Sequence, residues 1–186
     1  MAVQFGSLEA LGGSLGGWTI VNESTEKMPQ DLATAAYAVF EGRLGITATP
    51  VWYIGHQLVK GINHAVVYKF ERLVSGGAKQ TEFAKVVINI PPNSVGGKGA
   101  TIVKEEHTPV ISDNVEDGWN KIFNSGFVGA THKPIAEIGS QVVKGTNYHV
   151  LAQSQGVYPG AEPYLSYIII NEFQGEWSIA SIAPIE

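Results

Sequence analysis

Apolar and polar positions alternate in short runs along most of the chain, separated by glycine, proline and asparagine, which is the signature of strands joined by turns. Trp18–Val21 is the first such run, followed by turn chemistry at Asn22, Glu23 and Ser24. Between Pro29 and Leu44 the period changes. Leu32, Ala35, Ala36, Val39 and Phe40 recur at three- and four-residue steps, predicting a helix with one apolar face that stops at Gly45. Alternation returns in Thr47–Ile54, Leu58–Val59, His64–Leu73, Phe83–Ile90 and Ala100–Val103, with Pro91 and Pro92 ending the fourth of these. A second, shorter helix is predicted around Val115–Asn124, capped by Ser112, Asp113 or Asn114. Strands Ile135–Val143, Thr146–Gln153, Tyr164–Asn171 and Trp177–Ile182 complete the pattern. One helix packed across a four- to five-stranded antiparallel sheet buries both kinds of apolar pattern, so the fold class is α+β, occurring twice.

The second occurrence is marked by a repeat. Gln57–Leu58–Val59–Lys60–Gly61 and Gln141–Val142–Val143–Lys144–Gly145 share the pattern Gln-x-Val-Lys-Gly and lie 84 residues apart in a chain of 186. Gly55 precedes the first copy as Gly139 precedes the second, and Ile62–Asn63–His64 is answered by Thr146–Asn147–Tyr148. Val86–Val87–Ile88–Asn89 and Ile168–Ile169–Ile170–Asn171 match in the same way further along. Two units, 1–106 and 107–186, follow from this spacing, with a glycine-rich arm over residues 1–17 and a joint near Lys104–Pro109.

Charge narrows the partners. Residues 1–107 carry nine Lys/Arg against nine Asp/Glu, and residues 108–186 carry three against eight, so the whole excess of −5 belongs to the second unit. No basic cluster is present to attract nucleic acid or an anionic membrane. Cysteine is absent, which removes disulfides, thiolate ligands and a cysteine nucleophile. The start of the chain lacks the pattern of a secretory signal and no run is apolar enough to span a membrane, so a cytoplasmic or virion-associated location is expected.

Leu15–Gly16–Gly17–Trp18, followed by a helix and then Gln-x-Val-x-Gly, resembles the opening, helix and first hairpin loop of the cystatin family. The resemblance covers nearly the whole chain as two tandem cystatin-like units. It implies a non-catalytic inhibitor in which an arm and two hairpin loops form a wedge that blocks the cleft of a papain-like cysteine protease. The protease-binding residues so implied are Gly16, Gly17 and Gln57, Leu58, Val59, Lys60 and Gly61 in the first unit. In the second they are Gln141, Val142, Val143, Lys144, Gly145 and Trp177. The family's second loop commonly carries Pro-Trp, whereas the corresponding turns here are Pro91–Gly97 and Phe173–Trp177, and only the latter has a tryptophan. The second unit also has no Gly-Gly arm of its own, and Gly118 lies inside its predicted helix.

Catalytic chemistry is not expected. His56, His64, His107, His132 and His149 form no metal-binding spacing, although His56 and His64 flank the first hairpin and could face each other across it. The glycine-rich segments do not sit between a strand and a helix as a phosphate loop requires, and neither metal nor cofactor is predicted. The competing expectation is structural: two cystatin-like units serving as an assembly module, for example in a virion or another multi-subunit particle. Low charge, a glycine-rich arm and sheet edges suit that role.

Overall fold

The computed structural model describes residues 17–186. The described residues form two compact units, divided between His107 and Thr108. The predicted arm, including Gly16, lies outside the described residues except for Gly17.

The first unit contains β1 (Trp18–Glu23), a 3-10 turn at Thr25–Lys27, α1 (Gln30–Ala38), β2 (Ile46–Val59), β3 (Gly61–Leu73), β4 (Lys79–Ile90) and β5 (Thr101–Glu106). Its five strands follow one another across the sheet in chain order, all antiparallel. Leu32, Ala35 and Ala36 of α1 and Phe40 just beyond it pack on Tyr53, Val66, Tyr68, Phe70, Ala84, Val86 and Ile88. The alanines let the helix sit close to the sheet, close enough for the Tyr68 hydroxyl to donate to the Ala36 carbonyl at 2.7 Å.

Helix α1 is shorter than its apolar period suggests. The backbone leaves the helix after Ala38, where Glu41 N–H turns back to the Ala38 carbonyl and Arg43 N–H to that of Phe40, and Gly42 takes a φ of 78°. Phe40 keeps the predicted face because a turn at this point aims it at Tyr68 and Phe70, with ring centroids 4.9 and 5.4 Å away. Side-chain periodicity therefore outlasts the hydrogen-bonded helix.

The second unit contains α2 (Asp113–Phe123), β6 (Ala130–Val143), β7 (Gly145–Gly156), β8 (Tyr164–Phe173) and β9 (Glu176–Pro184), the strands again in chain order and antiparallel. Ser112 caps α2 by accepting from Val115 N–H at 3.4 Å, and Asp113, Glu116 and Lys121 complement the helix dipole at its two ends. Val115 and Trp119 cover Val150, Ala152, Ile168 and Ile170.

The repeat is a repeat of three-dimensional irregularities as well as of residues. β2 and β3 slip register between Pro50 and Trp52 and again between Tyr53 and Gly55. β6 and β7 slip between Pro134 and Ala136 and between Glu137 and Gly139, each 84 residues later. These bulges bend the long strand around the helix. In both units the face away from the helix is also largely buried, with Ile54, Ala65, Val67 and Lys85 in the first unit and Ile138 and Leu151 in the second at or below 2% exposure. Lys85 is paired with Glu106 at 2.6 Å, and burial lowers its pKa against the opposing pull of that carboxylate. No helix among the described residues is long and apolar enough to cross a membrane.

Gly118 leaves room for the Trp177 indole, whose ring atoms occupy the space a Cβ would need. Overpacking of this kind costs about 1–3 kcal/mol, more than the ~1 kcal/mol that alanine returns over glycine in a helix. Gly118→Ala should therefore lower stability, read as a reduced urea midpoint at unchanged m-value.

Candidate functional site

Each Gln-x-Val-Lys-Gly segment forms a tight hairpin tip. Val59 faces Gly61 and Val143 faces Gly145 across the turn, leaving Lys60 and Lys144 at the apex. The glycines have φ of 91° and 87°, a region closed to most L-residues. They also lie against the neighbouring strand end, so that a Cβ on Gly61 would collide with the Ile90 carbonyl and one on Gly145 with that of Glu172.

Below each turn runs a polar row. Asn89 Nδ2 donates to Asn63 Oδ1 at 2.9 Å and to the Lys60 carbonyl at 3.4 Å, while Asn63 Nδ2 donates to Gln57 Oε1 at 3.3 Å. In the second unit Asn171 Nδ2 donates to Asn147 Oδ1 at 2.9 Å and to the Lys144 carbonyl at 3.3 Å, with Gln141 opposite Asn147. One amide on the third strand thus fastens the apex of the preceding hairpin. The motif residues divide accordingly. Gln57, 3% exposed, and the glycines build the turn, while Leu58 at 72% and Val142 at 68% are presented to solvent with Lys60, Val143 and Lys144.

Sequence reasoning did not single out the asparagines. Their signal was the in-register match of Asn63 with Asn147 and of Asn89 with Asn171.

The neighbouring loops differ between units. In the second unit the β8–β9 turn, Phe173–Glu176, lies beside the Lys144 tip. Lys144 Nζ stands 5.0 Å from the Phe173 ring centroid, and Gln174 and Gly175 have φ of 54° and 83°, as a type I′ turn requires. Two hairpin tips therefore stand side by side. In the first unit the loop after β4 folds back on α1 instead: Gly96 N–H donates to Asp31 Oδ1 at 2.9 Å and Gly97 is buried. Gly17 stands at the hairpin end of its sheet, because Trp18 is the register partner of Gln57.

Trp177 is not displayed at the tip beside Val143. Its register partner is Glu172, and its ring packs against Gly118 of α2 and lies 5.5 Å from the Tyr148 ring centroid. A tryptophan following a turn is equally suited to close a core, and here the gap at Gly118 receives it.

At the base of the first hairpin His56 and His64 are register partners, as their flanking positions suggest. Both rings approach the Tyr53 hydroxyl, His64 Nδ1 at 2.9 Å and His56 Nδ1 at 3.4 Å. Burial pushes Tyr53 up to about 12, and burial with the neighbouring His56 pushes His64 down to about 4. Among the described residues no group of three or more His, Cys, Asp or Glu side chains gathers as metal ligands would.

No protein-family model matches the chain, and no curated protein matches it.

Removing the strand-crossing amide should loosen its tip. Asn89→Ala and Asn171→Ala each forgo hydrogen bonds with a net worth of about 0.5–1.5 kcal/mol apiece. Faster amide exchange is expected at Val59–Gly61 in the first variant and at Val143–Gly145 in the second, with the other unit's tip unchanged.

A second expectation concerns acid. The folded protein keeps His64 neutral down to about pH 4, whereas the unfolded chain takes up that proton near 6.5. The unfolded state thus binds more protons between these values, and stability falls as pH drops through this window by at most about 1.4 kcal/mol per unit. Urea unfolding of His64→Gln at pH 7, 5.5 and 4.5 should show a shallower decline than the parent protein.

Proposed function

We infer that the chain is a non-catalytic binding protein that inhibits papain-like cysteine proteases by inserting hairpin tips into the active-site cleft. The supporting observation is the pair of adjacent tips in the second unit, with Val142 and Val143 exposed and the backbone beneath them tied to Asn171. A cleft can desolvate such a tip without ordering it, because the turn is already held by glycine geometry and cross-strand hydrogen bonds. The first unit contributes its own tip, Leu58–Lys60, beside Gly17. In the cystatin-like reading these are the wedge elements, two hairpins from one unit and an arm with a hairpin from the other.

A second reading, an assembly module in a larger particle, is favoured by two departures from a complete wedge. The loop after β4 is docked on α1 rather than presented, and Trp177 is turned toward α2. On that reading the exposed Leu58 and Val142 are contacts between copies or with a structural partner.

Titration of papain with the purified protein separates the two. Stoichiometric inhibition is expected, with Val143→Asp or Val59→Asp raising the inhibition constant by about 100-fold or more, since burying an unpaired charge at an apolar tip costs on the order of 3 kcal/mol. Absence of inhibition at micromolar protein, together with concentration-dependent association in sedimentation that Leu58→Asp abolishes, would replace it with the assembly module.

A further inference from the structure

An extra residue in β2 brings together three donor atoms that a regular strand would keep apart. Residues three apart on a strand point to opposite faces. Tyr53 and His56 nevertheless share a face, because Ile54 is inserted between the pairs Tyr53–Val66 and Gly55–Ala65. His64, opposite His56, lies on the same face. All three converge on one oxygen: His64 Nδ1 is 2.9 Å and His56 Nδ1 3.4 Å from the Tyr53 hydroxyl, and the imidazole centroids are 6.2 Å apart. A phenol has one proton to give, so it donates to only one of the two nitrogens. The second unit shows that the hairpin does not require this cluster. Glu137, Ser140 and Tyr148 stand 84 residues after Tyr53, His56 and His64, in the same bulge and register. There Glu137 Oε2 accepts from Ser112 N–H at 2.9 Å and Tyr148 Oη from Asn114 Nδ2 at 2.8 Å, both at the start of α2. Bulge and turn thus form without a histidine at either position.

We propose that Tyr53 Oη, His56 Nδ1 and His64 Nδ1 bind a single divalent transition-metal ion, copper or zinc. Two imidazoles and an oxygen donor suit both ions. Donor atoms held about 2.0–2.1 Å from one ion, at angles of about 90–110°, stand about 2.9–3.4 Å from one another. The two distances to the Tyr53 hydroxyl have that span. A metal-binding imidazole must be neutral, and burial keeps His64 so down to about pH 4. Burial holds the Tyr53 hydroxyl up to about 12, and the charge of a bound ion reverses that preference, sending the phenol proton to solvent and leaving the phenolate on the ion. Tyr53 and His64 are buried while His56 is half-buried, so the ion enters on the His56 side. The third donor is a phenol rather than a third histidine or an acid, and it comes into reach only through the bulge, which is why residue spacing gives no metal signature here.

The test is equilibrium dialysis of the full-length chain at neutral pH against Cu(II) and, separately, Zn(II), with absorption spectra of the copper form. A single ion held at micromolar or lower concentration is expected, and the copper form should show a phenolate-to-copper charge-transfer band that Tyr53→Phe removes. His56→Ser and His64→Gln should each weaken binding about tenfold or more, as loss of a group that holds or orients a metal does. His56→Ser keeps the fold, because the second unit builds the same hairpin with Ser140 at that position. Retention of neither ion at micromolar concentration overturns the proposal. So does an ion held as tightly by the Tyr53→Phe, His56→Ser double variant, which places it elsewhere on the chain. Copper bound without the band, at an affinity that Tyr53→Phe leaves unchanged, overturns the three-donor site. The charge-transfer band is read on the unsubstituted chain, so the test stands even if a variant fails to fold. Neither reading of the hairpin tips enters this outcome.

Discussion

The register of one tight hairpin governs each unit. Because side chains on a strand alternate between faces, a slip of one residue at Lys60 or Lys144 would move every core residue of the following strand to the wrong side. The left-handed glycine permits one turn geometry, and the amide of Asn89 or Asn171 fixes that turn to the third strand, so two neighbouring pairings are locked through a single side chain. From that anchor, Val66, Tyr68 and Phe70 in one sheet and Val150 and Ala152 in the other face their helices. The bulges at Gly55 and Gly139 then adjust the curvature of the first long strand without disturbing the tip.

Strands were the most legible part of the sequence. Runs such as His64–Leu73 and Tyr164–Asn171 fall within β3 and β8, because β-branched and aromatic residues bounded by turn residues suit a strand that is buried on both faces. The repeated pentapeptide likewise marked both hairpins. What sequence alone misplaced depends on contacts distant along the chain. The end of α1 is set by where Phe40 meets Tyr68 and Phe70, which an apolar period cannot reveal. The loop after β4 contains nothing that announces its docking on Asp31, and Trp177 has its orientation decided by a glycine 59 residues earlier. Within the site, the glycine, glutamine and valine of the motif were visible, while the asparagines that hold it were present only as matches between the copies.

Polar burial in the first unit is concentrated rather than scattered. Lys85 lies on the sheet face away from α1 and is matched by Glu106 on the adjacent strand, so the charge that could not be hydrated is neutralised locally. Tyr53 and His64 do the same with uncharged groups, sharing a hydrogen bond at the base of the hairpin. Both arrangements join neighbouring strands, and both define one register at a level where aliphatic contacts alone would tolerate several.

The separation of roles inside the pentapeptide bears on how this protein can change over generations. Glutamine, glycine and the asparagine from the third strand carry the geometry, whereas the residue directly after the glutamine is mostly exposed to solvent. Leu58 and Val142, at the same position in the two copies, already differ. A tip of this kind is an adjustable surface on a fixed mount: substitutions there change what the hairpin displays at almost no expense to folding. With two mounts in one chain, the surface displayed by one copy is able to change while that of the other is kept.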